Sequence, residues 1–201
     1  MRSGALVGVV AVIVLAYITY NTLTTEGLDP LARGTALPPF AMPLATSASD
    51  GDANVATKRG ESQLGPRPAC EVRGPGVLNS CALAERGPVV LAFVVTGVKE
   101  CGRQLDVMDR VAGRVPGVAF AAVAEQEDHG ELRDRVRARG WRLPVGYDHD
   151  GIVGNLYGFG VVCPLLVFAG ADGRVAATHV GLLDEAELTG RAEALAAGRA
   201  P

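Results

Sequence analysis

The sequence predicts an α/β protein with a central mixed sheet, preceded by one apolar N-terminal helix. Three observations carry this reading. Short β-branched runs alternate with helical patterns between Pro88 and Arg139, a strand–turn–strand pattern follows before a last helix, and Ala5 to Tyr20 carries no charge.

Pro88 to Val95 (PVVLAFVV) is uniformly apolar and bounded by Gly87-Pro88 and Thr96-Gly97, the pattern of a central strand buried on both faces. From Cys101 to Val115, Leu105, Met108, Val111 and Ala112 recur at helical spacing and predict an amphipathic helix. Gly117 to Val123 reads as a second buried strand, and Glu131 to Arg139 as a charged helix stopped by Gly140. Together they form a βαβ unit with parallel strands. Leu143-Pro144-Val145 supports a short strand and Asp150 to Tyr157 a short helix. Val161 to Gly181 reads as an antiparallel hairpin turning at Ala171-Asp172-Gly173. The last helix runs from Asp184 to about Ala196, with Asp184 as N-cap and Glu187 completing a capping box. The order is β-α-β-α-β-β-α.

At 201 residues, 48% of them hydrophobic and 20% charged, the chain has room for one domain with a real core. The 26 glycines and 12 prolines predict many turns within it. A net charge of -3, with no basic run interleaved with aromatics, gives no footprint for a nucleic acid. The apolar segment continues to Leu23, roughly the length that spans a bilayer. Arg2 precedes it, and Glu26 and Asp29 follow it, so the positive-inside rule predicts a cytoplasmic N-terminus and an exported remainder. Residues 1–24 are thus expected to be a transmembrane anchor, 25–34 a spacer, and 35–197 the domain, with an inserted loop near 46–87. Secretion after signal cleavage is the alternative, although the best small-x-small site, Thr22-Leu23-Thr24, is a poor one. No Cys precedes Cys70, which leaves no acceptor for an N-terminal lipid anchor.

Outside the cytoplasm, Cys70, Cys81, Cys101 and Cys163 allow two disulfides in any of three pairings. Cys70 and Cys81 frame a short Gly- and Pro-containing loop, EVRGPGVLNS, where a local structural bridge needs no other partner. His129, His149 and His179 fall in different elements without ligand spacing, so no metal and no cofactor is predicted, and each His is read as solvated or locally bonded. Asp148-His149-Asp150-Gly151 lacks the later acids of a calcium loop and is read as a turn. Trp141 is assigned to the core. Arg133, Arg135, Arg137 and Arg139 are assigned to a solvated face. Glu100 stands in the first turn beside Cys101.

Several patterns resemble the membrane-anchored thioredoxin-like thiol-disulfide oxidoreductases of the TlpA/ResA type. They are Leu37-Pro38-Pro39-Phe40, Gly87 to Phe93, Leu143-Pro144-Val145 with Asp148 and Gly151, Tyr157 to Pro164, and Asp172-Gly173-Arg174, in that order over about residues 35–197. The resemblance implies a three-layer thioredoxin-like fold, a cis-proline at Pro164, and a CxxC whose second Cys is Cys101. Val98 stands where the first, nucleophilic Cys belongs, and a valine cannot do its work. Because the family sets the residue before the cis-proline beside this motif, the resemblance implies Cys101 and Cys163 as a displaced catalytic pair; two inert buried thiols are the bland alternative. The expected function is extracytoplasmic thiol-disulfide redox, with exported proteins or a membrane thiol-disulfide relay as partners. A non-catalytic protein-binding module is the second reading. A peroxiredoxin-like peroxidase is a third, weakened because Val98 lies three residues before Cys101 where Thr or Ser is expected, and Thr96 five.

Overall fold

The computed structural model describes residues 12–15, 30–160 and 162–201. The expected anchor therefore lies almost wholly outside the described residues, among which no helix is long and apolar enough to cross a membrane.

The main sheet has five strands in the order β5-β4-β3-β6-β7. They are β3 (Val89–Val94), β4 (Ala119–Glu125), β5 (Val145–Asp148), β6 (Leu165–Ala169) and β7 (Val175–Val180). The central strand β3 runs parallel to β4 and antiparallel to β6, and β6 pairs antiparallel with β7. The sheet is thus mixed, as the run-and-hairpin pattern requires. Alternation along β3 divides the core: Val90, Ala92 and Val94 face one apolar cluster, and Val89, Leu91 and Phe93 face the other. Helices α2 (Lys99–Ala112), α3 (His129–Arg139) and α5 (Glu185–Ala196) cover the first face. The second is covered by α1 (Ser80–Ala84), α4 (Ile152–Tyr157) and a two-stranded sheet of β1 (Ala41–Pro43) and β2 (Val77–Asn79).

Helix α2 buries Leu105, Met108 and Val111 completely, each worth about 1.5–3 kcal/mol in apolar transfer. It starts two residues before the expected position, with Val98 as an N-cap that offers no side-chain bond. Its polar side receives the α3–β5 connection: Asp109 Oδ1 accepts from the Arg142 and Leu143 N–H groups, and Asp106 accepts from Trp141 Nε1 and from Arg139. Helix α5 carries the expected Asp184–Glu187 capping box.

Two expectations need correction here. The insertion near 46–87 is not all loop, because β2 pairs with β1 and α1 follows directly, capped by Asn79, whose side chain accepts from Ala82 N and donates to the Ala69 and Val72 carbonyls. These long-range bonds leave no periodic signature in the sequence. Strand β4 also runs beyond Val123, since Ala124 and Glu125 pair with Tyr147 and Asp148.

Candidate functional site

The site lies where β3 ends and α2 begins. Antiparallel register pairs Phe93 with Leu165, so continuing both chains past the sheet sets Val95 against Cys163. The Val95 N–H accordingly donates to Cys163 Sγ at 3.3 Å. The Cys163–Pro164 peptide is cis. Cys163 is joined to Cys101 by a disulfide with a Cα separation of 5.8 Å, inside the range of a relaxed bridge. Cys101 is the third residue of the 14-residue helix α2. The two residues differ in access: Cys101 is 0% exposed, whereas Cys163 is half-buried between the two core clusters. Val98 is 41% exposed at the helix start, and Val162 is exposed beside Cys163.

Cys70 and Cys81 form the second disulfide, with a Cα separation of 5.4 Å, tying the 3-10 turn Ala69–Glu71 to α1. It belongs to the insertion, away from the Cys101 helix.

The turn carrying Val98 is held by a cluster that sequence reasoning missed. Buried Thr96 donates its hydroxyl to Glu127 Oε2 at 2.6 Å and its N–H to the same carboxylate. Arg135 Nη1 donates to Thr96 Oγ1 at 2.5 Å and to Glu127 Oε2 at 2.6 Å. Arg135 is therefore not part of a solvated face, and Arg139 is also engaged, pairing with Asp106 and lying over Trp141. Residues two apart on a helix point in different directions, so the alternation of arginines could not define one face. Gln104, one turn beyond Cys101, is fully buried and accepts from Leu183 N.

Beneath α4 lie two further buried acids. Glu125 and Asp148 are register partners at the ends of β4 and β5. Asp148 Oδ2 accepts from the Val153 and Gly154 N–H groups, so Asp148 is a buried strand end and the expected turn begins only after it. Burial, then the charge of Asp148, pushes the Glu125 carboxyl up to about 9. Burial also raises Asp148, against the pull of the Gly154 and Val153 donors. Glu125 Oε1 and Asp148 Oδ1 find no donor among the described residues, so a proton retained on the pair would supply the donor that the fold does not. A Cβ at position 154 would overlap the Glu125 carboxyl, which is why glycine stands there. The signal that could have found this pair is the extension of β4 by two residues.

His149 is exposed, as expected, whereas His129 is buried and bonded to a distant segment. Buried His129 stacks on Tyr147 and reaches Asp50 at 2.9 Å, and His149 reaches Asp52 at 3.3 Å, around a polar cavity of about 580 Å³. Among the described residues, no group of three or more His, Cys, Asp or Glu side chains is arranged to hold a metal ion.

No family model and no curated protein matches the sequence. Solved structures do. A secreted Mycobacterium tuberculosis disulfide oxidoreductase homologous to E. coli DsbE is 25% identical over 60% of this chain and 90% of its own, with a TM-score of 0.53. The chain is a thioredoxin-like protein. M. tuberculosis DsbF, known in mixed oxidised and reduced forms, is 28% identical over 54% of this chain and 80% of its own, with a TM-score of 0.50. The peroxidoxin BcpB of M. tuberculosis, at 13% identity and a TM-score of 0.60 over 84% of this chain and 97% of its own, shares the fold. In this thioredoxin-like chain the helix start that follows β3 carries Val98 and Cys101, and the cis-proline loop carries Cys163.

Proposed function

We propose that this thioredoxin-like protein exchanges thiols and disulfides outside the cytoplasm, cycling Cys101 and Cys163 between disulfide and dithiol, while an N-terminal anchor holds it to the membrane. One observation carries the reading: the cysteine that remains at the helix start is bonded to the residue before the cis-proline, across a 62-residue separation, rather than lying alone in the core. The likeness to the secreted disulfide oxidoreductase supports both the chemistry and the export. Two electrons and two protons pass between a partner dithiol and this pair in each turn. Exported proteins or a membrane thiol-disulfide relay are the partners on this reading. The peroxidase reading gains nothing from Cys101, whose sulfur is buried and already bonded. A binding module without chemistry is the competing reading, favoured by the complete burial of Cys101.

The test is equilibration of the folded full-length protein with mixtures of reduced and oxidised dithiothreitol, followed by alkylation and mass mapping. The exchange reading expects Cys101 and Cys163 to be labelled together as the buffer becomes reducing, with the fold retained. A bond that never opens in folded protein would leave the binding module.

A further inference from the structure

The two sulfurs of the Cys101–Cys163 bridge are not equivalent, and their difference gives the exchange a direction. This rests on the exchange reading above and adds which sulfur meets the partner. Thiol-disulfide exchange requires a thiolate to approach one sulfur along the line of the S–S bond and expel the other. Cys101 has no exposed surface and belongs to the apolar cluster that also holds Leu105 and Met108 of its own helix and the strand residues Val94 and Leu166. Cys163 is half-buried and stands next to exposed Val162, and the segment from Gly97 to Glu100 that precedes Cys101 is exposed.

We propose that the partner thiolate attacks Cys163, so that the mixed disulfide forms in the cis-proline loop and Cys101 is the leaving and resolving thiol. In the forward step the partner sulfur bonds Cys163 Sγ, the S–S bond breaks, and its electron pair leaves on Cys101 Sγ. When the partner carries a second thiol, that thiolate attacks the partner sulfur of the mixed disulfide and expels Cys163. The partner dithiol becomes a disulfide, and its two protons end on Cys101 and Cys163. Run backwards, Cys163 is the nucleophile that opens a partner disulfide, and Cys101 resolves the complex.

The local donors suit these roles. The departing Cys101 sulfur sits in the first turn of α2, where backbone N–H groups lack intrahelical acceptors and the helix dipole favours negative charge. The Val95 N–H bonded to Cys163 Sγ orients that sulfur in the bridge and favours its thiolate in the reverse direction. Cys101 thus keeps the resolving role it would have in a CxxC, and Cys163 takes over from position 98 the task of meeting the partner.

The experiment uses the oxidised full-length protein in detergent with N-acetylcysteinamide, an uncharged single-thiol probe. Acid quenching, alkylation with N-ethylmaleimide and peptide mapping then locate the probe and the freed thiol. The expected product carries the probe on Cys163 and maleimide on Cys101, in excess by about tenfold or more over the opposite product, because access sets the rate. Probe on Cys101 overturns the assignment. In reduced variants treated with the disulfide form of the same probe, Cys101→Ser should form the mixed disulfide, releasing one probe thiol, about tenfold faster than Cys163→Ser; equal rates also overturn it. The wild-type mapping stands even where a variant fails to fold. A bridge that resists excess dithiothreitol in folded protein overturns the exchange reading itself, whereas opening with the adduct on Cys101 overturns only the direction.

Discussion

Replacing Glu125 by Gln should stabilise the protein, and by an amount that grows with pH. In the unfolded chain this carboxyl loses its proton near 4.5, whereas burial and Asp148 hold it in the folded protein up to about 9. Between those values the unfolded state binds fewer protons than the native state, so native stability falls as pH rises. The contribution is intact below about 4.5 and fully lost above about 9. At ~1.4 kcal/mol per pH unit, keeping Glu125 protonated costs about 3 kcal/mol at pH 7, and the change from pH 5 to pH 8 is about 4 kcal/mol. Glutamine keeps the shape of the protonated side chain, retains an N–H donor for Asp148 and does not ionise. Urea midpoints of parent and Glu125→Gln, measured from pH 5 to pH 8 without reductant, should therefore diverge, with titration of every other group largely cancelling in the difference. A gap that stays constant across this range would show that Glu125 is ionised in the folded protein and that the shared proton does not exist.

Replacing Cys70 and Cys81 together by Ser should lower stability by about 3 kcal/mol, the chain entropy of the loop they close, while leaving exchange at Cys101 and Cys163 unchanged; melting of the oxidised proteins decides, and equal melting temperatures refute the staple. Val98→Cys builds a CxxC at an exposed helix start, where a thiol is readily ionised, and should raise insulin reduction by about tenfold or more over the parent; no gain would mean that the scaffold cannot support the usual chemistry. A reporter active only in the cytoplasm, fused after Pro201, should remain inactive, and its activity would overturn the proposed export.

The sequence by itself determined what short-range patterns encode. The uninterrupted apolar run of β3, the helical spacing of Leu105, Met108 and Val111, the hairpin around Asp172-Gly173 and the Asp184–Glu187 cap are local, so each is readable from a window of a few residues. The absence of a cysteine at position 98 is equally plain. Tertiary structure decided everything that depends on strand register and on where loops return. It joined Cys101 to Cys163 across 62 residues, set Arg135 against Thr96 across 39, and brought His129 to Asp50 across 79. It also made Glu125 and Asp148 share a buried position, because β4 and β5 pair two residues further than the apolar pattern extends. The physical reason is common to all four: polar and sulfur contacts between distant segments add no periodicity to either segment, and only the path of the folded chain brings them within bonding distance.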